Sequence, residues 1–448
     1  MKAFKAYDIR GVFGTDITPE LAYQVGRCLP TLLNAQTVLI GRDARVSSLT
    51  LRDALAHGLS EAGAKVNDLG LATTPMVYFF TAEEHYGASV MITASHNPKE
   101  YNGLKVSKAD ARPCGYDQGL KIIEEWIEDH KLPPKAKTPG TIQVIHRRPQ
   151  YLTWLNQYQA QHGLLRYAVD CSDGSAGILA PSLFADATVL LNSVPDGTFP
   201  HHGPNPLDAK SREQLVKTVL EHHLDLGLIF DGDADRVAFI DELGRFVPPD
   251  AMIALFAQYL GHQGDVVIHD VRTSRGVIET LQENGFVPFM VRVGAAFAKT
   301  ALREKYGICG GEVAGHYYFR NFHWCDSGEL AACIALDLIA EAKKKGQTFS
   351  ELLAPITSRY YASGEVNVLN VQDRVKAIQC IESAMIKQFG SPIHCIDFDG
   401  IRLDWEDAWF GVRASNTEPI LRLAGEARDP KKLEQLINLA KCVATNNI

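Results

Sequence analysis

Short apolar runs that stop at polar loops alternate with stretches of helical period through the first three quarters of this chain. Pro19 to about Asn34 has helical spacing, and Thr37-Val38-Leu39-Ile40-Gly41 reads as a short buried strand. A helix is expected from about Ser48 to Ala62, a strand near 65–69, and a helix start at Thr74-Pro75, a cap with a first-turn proline. The strand leading into Val90-Met91-Ile92 follows. The alternation resumes with strands at 167–170, 225–230 and 237–240, and again at 266–269 and 286–293. Such a pattern implies α/β blocks with mostly parallel sheets, whose sites lie at the carboxyl ends of strands.

At 448 residues the chain has room for about three domains. Lys131-Leu132-Pro133-Pro134-Lys135-Ala136-Lys137-Thr138-Pro139-Gly140 is the best linker, and Pro248-Pro249 a second boundary. After a long helix near 328–345 the pattern changes to strand, helix, paired strands and a final helix from Asp429, an α+β arrangement. A net charge of -8 argues against a nucleic-acid partner, which needs a basic face. No run of 18 apolar residues suggests a membrane span, and Met1–Asp8 has no apolar core of signal-peptide length. Nine scattered cysteines, none spaced Cys-x-x-Cys, suit a reduced cytoplasmic compartment and no metal role.

Four loops carry the chemistry. Thr93-Ala94-Ser95-His96-Asn97-Pro98 puts a small hydroxyl at the exposed end of a strand, where nucleophiles are found, although adjacent Ser and His also make ordinary turns. Asp231, Asp233 and Asp235 alternate after an apolar strand, and three close carboxylates repel unless a cation such as Mg²⁺ or Ca²⁺ neutralises them. An EF-hand shares that spacing but needs glycine where Arg236 stands, and helices where this chain has strands. A rival is the haloacid-dehalogenase type of phosphatase, in which Asp231 would be the nucleophile and the Ser95 loop would have no task. Arg413-Ala414-Ser415-Asn416-Thr417-Glu418-Pro419 gathers a guanidinium, hydroxyls and an amide suited to a phosphate dianion. Glu312 and His316, set among glycines, could hydrogen-bond sugar hydroxyls.

In this order, together with Tyr7-Asp8-Ile9-Arg10-Gly11 and Tyr101-Asn102-Gly103-Leu104-Lys105, these stretches closely resemble the α-D-phosphohexomutase superfamily, in its bacterial phosphomannomutase/phosphoglucomutase branch. The resemblance covers almost the whole chain. It implies a four-domain fold around a central cleft: three similar α/β domains, at 1–140, 141–247 and 248–358, and a C-terminal α+β domain like the TATA-binding protein at 359–448. It further implies that Ser95 is the phosphoserine and that its phosphate with Asp231, Asp233 and Asp235 holds Mg²⁺. Glu312 and His316 would contact the sugar, with Tyr7 in the same cleft. Arg413, Ser415, Asn416 and Thr417 would grip the phosphate that is not reacting.

The expected reaction is reversible phosphoryl transfer between O1 and O6 of a hexose phosphate through phosphoserine and a hexose 1,6-bisphosphate. Mannose phosphate is the expected substrate, with glucose phosphates also used; a glucosamine-phosphate mutase is the alternative within the family. Such chemistry needs a nucleophile, a cation and fixed positive charge, which Ser95, the aspartate loop, Arg10 and Arg236 can supply. Lys105 is the candidate proton carrier, if burial near cations lowers its pKa, while His96 orients the loop. The chain departs from the family at Ala234, Ala295 and Ala314, where glycine, histidine and serine are usual, and at Arg272, where lysine is common and where Arg would donate to phosphate or hydroxyl. A monomer or weak dimer is expected.

Overall fold

The computed structural model describes residues 1–158, 162–414 and 420–445. The first domain contains β1 (Ile9–Val12), α1 (Pro19–Leu33), β2 (Thr37–Arg42), α2 (Ser48–Glu61), β3 (Lys65–Leu71), α3 (Thr74–Glu83), β4 (Ala88–Ile92), β5 (Tyr101–Lys108), α4 (Leu120–Glu128) and β6 (Ile142–Val144). Its sheet runs β1-β5-β4-β2-β3-β6. The cap of α3 is Thr73, whose side chain accepts from the Met76 N–H, so Thr74 is already helical. β6 pairs with β3, so the first sheet is completed beyond the Pro/Lys-rich 131–140 stretch.

The second domain contains α5 (Arg148–Leu155), β7 (Tyr167–Asp170), α6 (Ala180–Leu183), β8 (Val189–Leu191), α7 (Ala209–Glu221), β9 (Leu226–Phe230) and β10 (Val237–Asp241). The third has α8 (Pro249–Leu260), β11 (Val266–Asp270), α9 (Arg275–Glu283), β12 (Val287–Val291), α10 (Ala295–Glu304), β13 (Cys309–Gly311), β14 (Tyr317–Phe319), β15 (Cys325–Asp326), α11 (Gly328–Lys344) and α12 (Phe349–Thr357). Their sheets run β10-β9-β7-β8 and β12-β11-β13-β14-β15.

One connection recurs in all three sheets. A buried strand that lies parallel to its neighbour on one side turns back into an antiparallel strand on the other: β4 into β5, β9 into β10, β13 into β14. The strands that lead in are apolar and fully buried in the first two domains. Burial fixes their register, and with it where each following loop begins.

The fourth domain holds β16 (Tyr361–Ala362), β17 (Val366–Val368), α13 (Arg374–Phe389), β18 (His394–Ile396), β19 (Ile401–Asp404), β20 (Ala408–Ala414), β21 (Leu421–Ala427) and α14 (Pro430–Thr445). Its strand pairs are antiparallel. A separate core, with Ile381, Leu403, Phe410 and Leu436, joins α13 and α14 to the sheet. The second and third domains instead share one core running through Phe230, Phe256 and Ile334. Among the described residues no helix is long and apolar enough to cross a membrane.

Candidate active site

The three recurring connections are the three chemistry-bearing loops, and they meet. Ser95 follows β4, Asp231–Arg236 link β9 to β10, and Glu312–His316 link β13 to β14. They line a cleft of about 310 Å³ with Tyr7, Arg10, Lys105, Ala295 and Ala314. Helix starts hold the aspartate loop by its backbone: Thr74 N–H, opening α3, donates to the Asp233 carbonyl at 2.9 Å, and Gly328 N–H, opening α11, to that of Ala234 at 3.1 Å. Arg236 and His316 form a β-bridge.

Ser95 is 1% exposed and has φ +50, a left-handed conformation uncommon for a residue with a side chain. Its Oγ donates to Asp231 Oδ2 at 2.6 Å and lies 3.3 Å from His96 Nδ1. Burial and the nearby Arg236 and Arg10 keep the His96 ring well below its usual pKa, hence neutral. That suits orientation of the serine, the role expected from sequence.

Arg45 is the residue that sequence reading missed. It is fully buried and spends every guanidinium N–H inside the protein. Nη1 donates to the carbonyls of Pro98 and Tyr101 at 2.6 and 3.1 Å, Nη2 to those of Ser95 and Asn97 at 2.8 and 2.6 Å, and Nε to Asp43 at 3.1 Å. Asp43 also accepts from Thr93 Oγ1, which in turn accepts the Ser95 N–H. The signal was in plain view: Gly41-Arg42-Asp43-Ala44-Arg45 puts three charges directly after a buried strand.

Asp231, Asp233 and Asp235 are all buried, with ligand atoms within 4.8 Å of one another. Burial, then the charges of Asp235 and Asp233, push the Asp231 carboxyl well above the usual range. Asp233 Oδ1 and Asp235 Oδ1 are buried without a hydrogen-bond partner. Three convergent carboxylates with unsatisfied oxygens fit a hard divalent cation. Ala234 adopts φ +63, the left-handed region that glycine enters more easily.

Lys105 Nζ lies 2.7 Å from Asp233 Oδ2 and also pairs with Asp235. The amine faces carboxylates instead of the cations expected to lower its pKa. Burial opposes its charge, but Asp233 and Asp235 outweigh burial and raise the pKa, so Lys105 is a fixed positive charge. Arg10 enters the cleft from β1, held by Asp8 at 2.5 Å and Asn97 at 2.9 Å. Arg236 Nε sits 3.9 Å from both Asp231 and Asp235.

Glu312 accepts the Gly294 N–H at 2.7 Å and the Tyr318 hydroxyl at 2.6 Å. Burial opposes its charge, yet His316 holds its pKa at about 2. His316 stands 3.2 Å from Glu312, 3.5 Å from Asp235 and 3.8 Å from Asp326. Burial and Arg236 disfavour its positive form, but Asp235 and Glu312 prevail and set its pKa at about 9.

Arg272 is not in the Ser95 cleft. It is tied to Asp270 at 2.6 Å and lines a second recess, between the third and fourth domains, with Arg413 and Arg422. Arg422 was also missed; β20–β21 register sets it directly opposite Arg413. The side chains of both keep a buried Nε without a hydrogen-bond partner. Ser415, Asn416 and Thr417 lie outside the described residues.

Comparison with known proteins extends over the whole chain. Family models described as phosphoglucomutase/phosphomannomutase alpha/beta/alpha domains I, II and III and the C-terminal domain match residues 1–132, 149–244, 248–360 and 369–439. A phosphomannomutase of Escherichia coli K12 is 35% identical over 442 residues, 96% of this chain and 95% of that protein. One from Salmonella montevideo is 34% identical, covering 98% of this chain and 99% of its own. A crystal structure of a phosphoglucomutase/phosphomannomutase family protein from Burkholderia thailandensis superposes with a TM-score of 0.89 at 27% identity, over 99% of this chain and 97% of the other.

Proposed function

Because the chain belongs to the phosphoglucomutase/phosphomannomutase family, an enzyme family moving phosphoryl groups within hexose phosphates, we propose that Ser95 is the phosphoryl carrier of this cleft. One observation carries the assignment: residues 136 positions apart, Ser95 and Asp231, meet in a buried 2.6 Å hydrogen bond. That contact sets the hydroxyl at the mouth of a cation site. It also gives the Ser95 loop a task, which the rival reading of Asp231 as a phosphatase nucleophile denies it.

Asp231, Asp233 and Asp235, with the phosphate on Ser95, would hold Mg²⁺, which supplies charge neutralisation on the phosphate oxygens. Arg10, Lys105 and Arg236 surround the same space with positive charge. In one half-reaction the bond between phosphorus and Ser95 Oγ breaks, a sugar hydroxyl oxygen bonds to phosphorus, and the proton of that hydroxyl ends on Ser95 Oγ. Lys105 and His316, both held protonated by carboxylates, stay charged through this exchange and stabilise the transferring phosphoryl group.

The product of that half-reaction is a hexose 1,6-bisphosphate. It turns round so that its other phosphate meets Ser95, while Arg413, Arg422 and Arg272, together with Ser415, Asn416 and Thr417, would grip whichever phosphate is idle. Tyr7, Glu312 and His316 stand where the sugar passes. Mannose phosphate is the favoured substrate, after the phosphomannomutase relatives, with glucose phosphates also turned over. A monomer or weak dimer is the expected state, and nine scattered cysteines, none spaced Cys-x-x-Cys, suit a reduced cytoplasm.

The test is mutase turnover of mannose 1-phosphate, glucose 1-phosphate and glucosamine 1-phosphate with Mg²⁺ and a trace of hexose 1,6-bisphosphate. Intact mass should show one phosphate, absent from Ser95→Ala. Full turnover by Ser95→Ala would refute the assignment.

A further inference from the structure

The backbone of Val293 and Gly294, on the wall of the cleft, is held by three domains at once. The Val293 carbonyl accepts the Tyr7 hydroxyl of the first domain at 2.9 Å. The Gly294 N–H donates to Glu312, on the third domain's own loop, at 2.7 Å. The Val293 N–H donates to Asp399 Oδ2 of the fourth domain at 2.9 Å.

Asp399 sits between β18 and β19, just before Gly400. Gly400 has φ +74, and a Cβ there would fall 2.2 Å from the Val412 carbonyl, so the turn is pinned against β20. Asp399 Oδ2 is also 4.0 Å from Arg413 Nη1. One carboxylate thus joins the phosphate clamp to the cleft wall.

The fourth domain also meets the third at the 271–275 loop. There Arg402 Nη1 donates to the carbonyls of Val271 and Thr273 at 2.7 and 2.8 Å, and Glu426 accepts the Arg275 N–H at 2.9 Å. Beside that anchorage lies an interdomain cavity of about 290 Å³, walled by Val277, Ile356, Tyr360 and Trp409. A domain anchored along this side, with space beside it, can rock, and the contact at its front edge opposes that rocking.

We propose that Asp399 is a positioning residue that latches the phosphate clamp to the cleft wall, so that the bisphosphate turns round inside the cleft more often than it escapes. The inference rests on the mutase reading above. Between the two half-reactions the clamp must release one phosphate and take the other. A latch made to the protein, not to the ligand, keeps the cleft closed during that exchange. A single charge-assisted hydrogen bond is strong enough to bias closure and weak enough to open every cycle.

Two measurements test it with Asp399→Ala and Asp399→Asn. Escaped bisphosphate leaves unphosphorylated enzyme, so Asp399→Ala should need about tenfold more added hexose 1,6-bisphosphate for half-maximal turnover. It should also release more labelled bisphosphate per turnover. Asp399→Asn, whose amide oxygen still accepts from Val293, should fall between. Independently of any reaction, the Val293 amide should exchange hydrogen faster in Asp399→Ala than in wild type.

Wild-type bisphosphate dependence in a folded Asp399→Ala protein would overturn the latch and leave the mutase reading intact. No bisphosphate-dependent turnover by the wild type would overturn the mutase reading, and Val293 exchange would then decide the latch. Unchanged exchange at Val293 overturns it in either case.

Discussion

Arg45 holds the Ser95 carbonyl at 2.8 Å from beneath, although the two residues lie in different loops of the first domain. The guanidinium plane faces Phe199 of the second domain, 5.1 Å from the ring centroid, and Gly197 packs so closely on Arg45 that a Cβ there would lie 2.5 Å from the Arg45 Cα. The left-handed serine therefore rests on a support gripped by its neighbouring domain.

Arg45→Ala leaves Asp43 buried without its ion-pair partner and takes a donor from each of four carbonyls. Loss of one member of a buried pair costs about 3–5 kcal/mol. Arg45→Lys supplies at most three donors to the same acceptors and should be intermediate. Urea unfolding would rank the three proteins, and phosphate incorporation into Ser95 should fall in the same order.

Asp231→Asn removes one carboxylate of the cation site. For the wild type, Mg²⁺ at a hundred times its dissociation constant should add about 2.7 kcal/mol to stability, and a chelator should reverse the gain. In Asp231→Asn the Mg²⁺-induced rise in melting temperature should shrink and turnover should collapse. Differential scanning calorimetry with and without Mg²⁺ reads both proteins.

Gly294→Ala would place a methyl group 2.6 Å from Tyr7 Cζ, at a φ of +131 that side chains avoid. Overpacking of this kind costs about 1–3 kcal/mol. The displaced backbone carries the N–H that Glu312 accepts, so KM for the hexose phosphate should rise. Adding Tyr7→Ala removes the clash and should restore part of the lost melting temperature.

Glu329 offers a pH test away from the chemistry. It is buried near the start of α11, where burial lifts its pKa from 4.5 to about 8 against hydrogen bonds from Thr73, Ser327 and Tyr151. Between those values the folded chain keeps a proton that the unfolded chain has lost. Stability therefore falls as pH rises through that window, by up to about 1.4 kcal/mol per unit. Glu329→Gln should flatten this part of the stability–pH curve and be the more stable protein at pH 8.

The elements were legible because their strands are apolar and their helices periodic: the sequence places strands leading into Ser95 and Asp231, and β4 and β9 stand there. By contrast β13, three residues of which two are glycine, carries no such apolar signal and was not foreseen. The meeting of the loops was legible only through the ordered set of motifs, since spacing alone does not bring residue 95 to residue 231. What surrounds each group was harder to read. Lys105 was placed correctly after the serine loop, but its partners Asp233 and Asp235 lie about 130 positions away, and they reverse the expected direction of its pKa. Arg272 matched a known position, yet Asp270, two residues before it, ties it down. Asp399 acts through a backbone N–H, which bears no sequence signature.

The hairpin form of the three chemistry loops has an electrostatic consequence. Phosphate sites in α/β proteins commonly sit at the first turn of a helix, where aligned peptide dipoles hold the anion permanently. Here each of the three loops returns into a strand, so among the described residues no helix starts directly after Ser95 to play that part. The anion's counter-charge must come from side chains on several segments and from an exchangeable ion. A phosphoryl group held by such parts is held conditionally: it is comfortable only while the domains are together, and easier to hand on than one seated on a permanent dipole.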